Sequence, residues 1–147
     1  MDTAKNMPVA GFVVLSWNGA KLLEACLDSL TLQTEKSFVV CLVDNGSTDN
    51  TTAVFDNASL PAKELIVNSY NRGFAPAVNQ GVNLLLNRYP ELKYVVLLNN
   101  DVVLDSKWLS VMVGALNKKP DIDFAQGINY TQKDKKELDC TGIYLEE

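Results

Sequence analysis

Two stretches of this chain are apolar at every position, Phe38 to Val43 (FVVCLV) and Tyr94 to Leu98 (YVVLL). A strand with apolar side chains on both faces must be covered on both faces, which is the pattern of a parallel sheet held between helices. Two further runs fit the same sheet. Pro8 to Trp17 (PVAGFVVLSW) reads as a buried strand closed by the turn pair Asn18-Gly19, and Glu64 to Val67 (ELIV) as a short third strand. Between them the period changes to that of helices. From Ala20 to about Gln33, Leu22, Leu23, Cys26, Leu27 and Leu30 recur at three- and four-residue steps, and a second amphipathic segment runs from about Phe74 to Arg88. Ser47 or Thr48 is placed to cap the helix after the second strand, and Trp108 to Leu116 reads as a helix behind an Asp105 or Ser106 cap. Ile122 to Ile128 is expected as a fifth strand, and the charged end from Tyr130 to Glu147 as a hairpin or a loose end. Strands alternating with helices imply right-handed crossovers, so the expected fold class is α/β, a Rossmann-like three-layer α/β/α arrangement with a mostly parallel sheet. The 147 residues suit one domain.

Composition narrows the chemistry. The chain has no histidine, which removes Ser-His-Asp and Cys-His catalysis, His-ligated zinc and an imidazole base. A formal net charge of −5 argues against nucleic acid as a partner, because phosphate-backbone binding draws on clustered Lys and Arg. No run approaches the ~20 apolar residues of a membrane span, and MDTAKNMP is not a signal peptide, so a cytoplasmic protein is expected. Three widely spaced cysteines, Cys26, Cys41 and Cys140, fit reduced thiols. Four N-x-[ST] sequences begin at Asn45, Asn50, Asn57 and Asn129, which argues against passage through a glycosylating compartment.

In an open α/β sheet, ligands bind beyond the carboxyl ends of the strands. Four such ends are polar here, while the strands feeding them are apolar: Ser16-Trp17-Asn18-Gly19, Asp44-Asn45-Gly46-Ser47, Asn68 to Gly73, and Asn99-Asn100-Asp101. Asp44 surfaces after six apolar residues, where it either accepts hydrogen bonds from a ribose or base or caps the next helix. Asp101, beside two amides, offers hard oxygen to Mg²⁺ or Mn²⁺ carrying phosphate, or is a turn residue. Arg72 either pairs with a phosphate or is solvated, and Trp17 either stacks on a base or covers the core edge.

Taken in order, VVLSWNG (Val13 to Gly19), VDNGSTDNT (Val43 to Thr51), NRGFAPAVNQG (Asn71 to Gly81) and YVVLLNNDV (Tyr94 to Val102) resemble the N-terminal half of family 2 glycosyltransferases, whose fold is the A type that binds nucleotide-diphosphosugars. The resemblance implies transfer of a sugar from such a donor to the hydroxyl of a glycan or lipid-linked acceptor, usually with inversion and a divalent cation, Mg²⁺ or Mn²⁺. An acceptor hydroxyl would attack the anomeric carbon while a carboxylate removes its proton. The likeness makes Asp44 the carboxylate that recognises the base, beside Ser16, Trp17, Asn18 and Gly19. It assigns Asn45, Asn71, Arg72, Gly73, Asn79 and Asn100 to the donor pocket, with Arg72 near the phosphates. Asp101 becomes the last member of the family's D-x-D metal motif. Its first member here is Asn99, the N-x-D form familiar among rhamnosyltransferase-like members, which hints at deoxythymidine or uridine donors and at polysaccharide or surface-glycan assembly.

The family's general base lies in the half that follows the D-x-D strand. Asp121, Asp123 and Asp139 are present but sit in no matching motif, so no catalytic residue is assigned and the chain is expected to be a donor-binding half lacking its acceptor half. Lipid-linked acceptors would bring it to the inner face of a membrane, and an open sheet edge would favour a homo-oligomer. Other classes compete, among them a phosphate-accepting receiver domain, whose acidic cluster would need a different strand order. A dinucleotide-dependent oxidoreductase lacks the Gly-rich turn, since Gly19 stands alone after the first strand. A non-catalytic nucleotide- or partner-binding module on the same fold is the stronger alternative.

Overall fold

A computed structural model describes residues 7–131 and 138–140, which divide into two compact units between Ser110 and Val111. The first unit contains a four-stranded parallel sheet in the order β3-β2-β1-β4, built from β1 (Ala10–Ser16), β2 (Phe38–Asp44), β3 (Lys63–Val67) and β4 (Tyr94–Asn99). Its helices are α1 (Ala20–Thr31), α2 (Thr51–Asn57) and α3 (Phe74–Arg88). Each strand thus ends at the polar segment read from the sequence, and α3 has the expected bounds.

The central strands are buried because both of their faces are covered, as their unbroken apolar runs require. On one face Val13, Val39, Cys41 and Val43 pack with Ala77 and Leu85 of α3. Close approach is possible there because residue 81 is glycine: a Cβ would stand 2.6 Å from Val13 Cγ1. On the other face Phe12 meets Phe38 edge to face, with ring centroids 5.5 Å apart, and Trp108 at 6.3 Å. The end of α3 is tied to β3 through Glu64, which accepts hydrogen bonds from Arg88 Nη1 at 2.6 Å and Tyr89 Oη at 2.8 Å.

The outer strand β4 is different. Parallel pairing places Val95 and Leu97 beside Gly11 and Val13 on the α3 face, yet they stay 36% and 56% exposed. The helix spans β1 and β2 and leaves β4 half covered.

The second unit departs from the sequence reading. No strand forms over 122–128. Phe124 is almost wholly exposed and Ile128 is exposed, so the apolar residues of that run have no partner surface to bury against among the described residues. Instead β5 (Asn129–Tyr130) pairs antiparallel with β6 (Leu138–Cys140) as a short hairpin. The helix α4 (Trp108–Lys118) begins in the first unit and ends in the second. No helix of the described residues is long and apolar enough to cross a membrane.

Candidate functional site

Parallel strands carry their carboxyl ends to a common edge, so loops far apart in sequence meet there. The register pairs Ser16 with Asp44, Asp44 with Val67, and Leu15 with Asn99. At this edge lies a cavity of about 440 Å³ lined by Leu15, Trp17, Asn45, Asn71, Gly73, Phe74, Asn99, Asn100 and Asp101. All four polar segments thus converge, two of them supplying several liners. Trp17 and Phe74 are more than half exposed at its rim.

The loops after β1 and β2 are laced together. Asn18 N–H donates to Ser47 Oγ at 2.8 Å, and Thr48 N–H donates back to Asn18 Oδ1 at 2.8 Å. Asp49 Oδ2 accepts the Ala20 N–H at the start of α1, while its Oδ1 accepts from the Thr51 N–H and hydroxyl at the start of α2. One exposed carboxylate therefore caps two helices. The Thr51 hydroxyl and the Ala20 N–H hold its pKa below the usual carboxylate value. The cap expected from Ser47 or Thr48 comes from Asp49 because Ser47 and Thr48 are engaged across the loop by Asn18.

Asp44 is buried and its Oδ1 accepts the Ser47 N–H at 3.0 Å, the turn-forming bond that a D-x-x-S sequence makes locally. It is not among the cavity's liners, nor are Ser16, Asn18 and Gly19. Ser16 Oγ accepts from Asn100 Nδ2 at 3.0 Å, and the Asn100 amide crosses so near Gly19 that a Cβ there would collide with it. Ser16 and Gly19 thus set the position of the liner Asn100. Arg72 and Asn79 are exposed and do not line the cavity; the Arg72 guanidinium lies over the Tyr70 ring, 5.5 Å from its centroid.

The wall from β4 is open. Among the described residues neither the Asp101 carboxylate nor the Asn99 side chain makes a hydrogen bond within the protein, and both are exposed. Below them Cys26 Sγ donates to the Asn99 carbonyl at 3.7 Å. Burial, with the Asp101 charge adding to it, pushes the Cys26 thiol up to about 12, so it is an inert apolar group. Cys41 is likewise buried and pushed up to about 12 by burial first and the Glu64 charge second.

The donor set bears on a metal. No group of three or more acidic, Cys or His side chains that could hold an ion by itself occurs among the described residues. One free carboxylate and a neutral amide oxygen do fit a hard divalent ion whose other ligands are phosphate oxygens and water, since Mg²⁺ is commonly held through one or two carboxylates plus substrate phosphates. Among the described residues no Lys or Arg lines the cavity, so a diphosphate there would need that cation.

The segment after Asp101 is anchored by residues that no motif singled out. Ser29 Oγ accepts the Leu104 N–H at 3.1 Å. Fully buried Gln33 donates to the Asp105 carbonyl at 2.7 Å and accepts the Leu109 N–H at 3.0 Å. Only a polar residue at the close of an otherwise apolar helical stripe could have signalled them.

Residues 12–140 match the family model described as "Glycosyl transferase family 2". The chain is 25% identical over 120 residues, 80% of its length and 36% of the relative's, to a protein of Haemophilus influenzae called an uncharacterized glycosyltransferase. Two solved structures share the fold. Staphylococcus aureus TarS 1-349 in complex with UDP has a TM-score of 0.67 at 20% identity, over 74% of this chain and 32% of that one. The mannosyltransferase PcManGT from Pyrobaculum calidifontis, in complex with GDP-Man and Mn²⁺, has 0.60 at 24% identity, over 74% and 32%. The chain spans about a third of the length of the curated relatives it matches.

Proposed function

Since the chain belongs to glycosyl transferase family 2, with the α/β fold of the A-type enzymes, we propose that its cavity binds a nucleotide-diphosphosugar for transfer to an acceptor hydroxyl of a glycan or lipid-linked sugar, in polysaccharide or surface-glycan synthesis. The observation that carries this reading is the cavity's composition: one unengaged carboxylate, amides from three loops, two exposed aromatic rings and no cation. Asp101 and Asn99 would hold Mg²⁺ or Mn²⁺ together with the diphosphate, and the bound ion would supply positive charge opposite the leaving group. Asn71, Gly73 and Asn100 would orient the donor, with Trp17 and Phe74 giving apolar faces to its base or sugar. Asp44 would recognise the base with its Oδ1 still accepting the Ser47 N–H, since a carboxylate has a second oxygen to offer. Titrating UDP, GDP and dTDP with and without Mn²⁺, and following release of nucleoside diphosphate from the corresponding sugar nucleotides, tests the reading. Metal-dependent binding of one nucleotide is expected; no binding of any would overturn it.

One observation favours a second reading. Among the described residues Asp101 is the sole acid lining the cavity, and the same carboxylate cannot both hold a metal and remove the acceptor's proton. The described residues would then form a donor-binding module without turnover of their own. Binding without nucleoside diphosphate release distinguishes it.

A further inference from the structure

Asn45 follows the last residue of β2, lines the cavity, and is only 2% exposed. A side-chain amide has two N–H donors and two acceptor lone pairs, and all four are taken here. Nδ2 donates to Asn71 Oδ1 at 2.9 Å and to the Gly73 carbonyl at 3.2 Å. Oδ1 accepts the Arg72 N–H at 3.0 Å and Asn68 Nδ2 at 3.1 Å. The backbone partners fix its orientation, because a carbonyl can only accept and an N–H can only donate. Behind it, Asn68 and Gln80 of α3 exchange two amide bonds, Asn68 Nδ2 to Gln80 Oε1 at 2.9 Å and Gln80 Nε2 to Asn68 Oδ1 at 3.1 Å. The next residue, Gly46, has φ +83°, and a Cβ on it would stand 2.7 Å from the Tyr70 backbone, so the two loops touch main chain to main chain.

We propose that Asn45 is a positioning residue for the donor cavity and not a donor contact: its saturated amide fixes the Asn71–Gly73 segment against the end of β2, in line with Asn68 and Gln80. The inference rests on the nucleotide-sugar reading of the cavity. A ligand that took a hydrogen bond from Asn45 would leave a buried loop group unpaired, which costs more than one surface bond returns. The amide instead holds the segment with its ordering entropy already lost before the donor arrives.

The test uses Asn45→Asp and Asn45→Ala in the full chain, with UDP and GDP in the presence of Mn²⁺ as probes. Asn45→Asp keeps the shape but turns the two N–H donors toward Asn71 and Gly73 into acceptors. About a tenfold loss of affinity at neutral pH is expected. Protonation restores one O–H donor, so the ratio of variant to wild-type affinity should recover as the pH is lowered from about 7.5 to about 5.5, the range into which burial lifts a carboxyl. Asp44 beside it and Arg72 facing it are present in both proteins, so the ratio isolates the new group. In the free protein, Asn45→Ala should speed hydrogen exchange at the Arg72 amide about tenfold or more, because its acceptor is gone. If the Asn45 variants do not fold, Gln80→Met, which leaves every liner in place, should weaken binding about threefold and speed the same exchange.

Unchanged affinity at every pH, or unchanged exchange at Arg72, overturns the positioning role; for Gln80→Met, both unchanged does so. A wild type that binds neither nucleotide while Arg72 exchange responds as expected sinks the donor-site reading alone.

Discussion

On the wall supplied by β2 and the loop after β3, the Asn45 amide is saturated, Asn71 Oδ1 accepts from Asn45 and Gly73, and Asp44 holds Ser47. On the wall supplied by β4, the Asn99 and Asp101 side chains face solvent and hydrogen-bond no other described side chain. The first wall is built mostly of polar groups that satisfy one another, leaving a ligand its shape, its backbone and the exposed Asn71 Nδ2. The second wall keeps its hydrogen-bonding and ligating capacity for something that is not protein. Asn100 stands between the two, bonded to Ser16 yet lining the cavity. The contrast separates residues that build a site from residues that act in it, although both kinds are Asn and Asp at strand ends.

The largest effect is expected from emptying the open wall. Asp101→Ala should lower Mn²⁺-dependent nucleoside diphosphate affinity about a hundredfold or more. Its unfolding midpoint should stay within about 2 °C of the wild type, since an exposed, unbonded carboxylate contributes little to folding. Calorimetric titration and a thermal melt read the two numbers; a large loss of stability would show that Asp101 belongs to the built wall after all.

Strain placed in the built wall should do the reverse. Gly46→Ala puts a Cβ at positive φ and into the Tyr70 backbone, and should cost about 2–3 kcal/mol in denaturant unfolding. Affinity should fall only as far as the loop after β3 is displaced.

Acid should loosen the same wall. A carboxylate whose pKa is lower in the folded than in the unfolded protein stabilises the fold above its unfolded value, and that stability is lost as pH falls through the folded value. Asp49 is such a group. Asp49→Ala should therefore be less stable than the wild type at neutral pH, with the gap closing below the ordinary carboxylate range. Denaturant midpoints measured across pH check the sign.

The smallest effect concerns the floor beneath Asp101. With its thiol pushed up to about 12, Cys26 should resist a thiol reagent at pH 8 in the folded protein and react once denatured, in a Cys140→Ser background where Cys41 behaves alike. Fast labelling of Cys26 would mean that the open wall admits solvent to its base.

The β1 to β4 strands and α1 and α3 were legible because an apolar run or a 3.6-residue stripe reports burial directly. The strand expected over 122–128 was not, because the same apolar residues at the surface and in a sheet differ only in whether a partner edge exists, and Phe124 has none among the described residues. Within the site, Asn99, Asn100 and Asp101 line the cavity. Asn79 and Arg72 lie outside it, since their direction depends on how α3 and the Tyr70 ring are packed.

The order of residues by itself determined a parallel sheet and a polar carboxyl edge, because alternation of apolar strands with amphipathic helices admits few other topologies. It also determined which residue types could meet there. Tertiary structure alone decided which of them keep free hydrogen-bonding capacity. Whether an amide is saturated depends on groups 23 to 28 positions away in sequence, as for Asn45 with Asn68, Asn71, Arg72 and Gly73, and no local pattern carries that information.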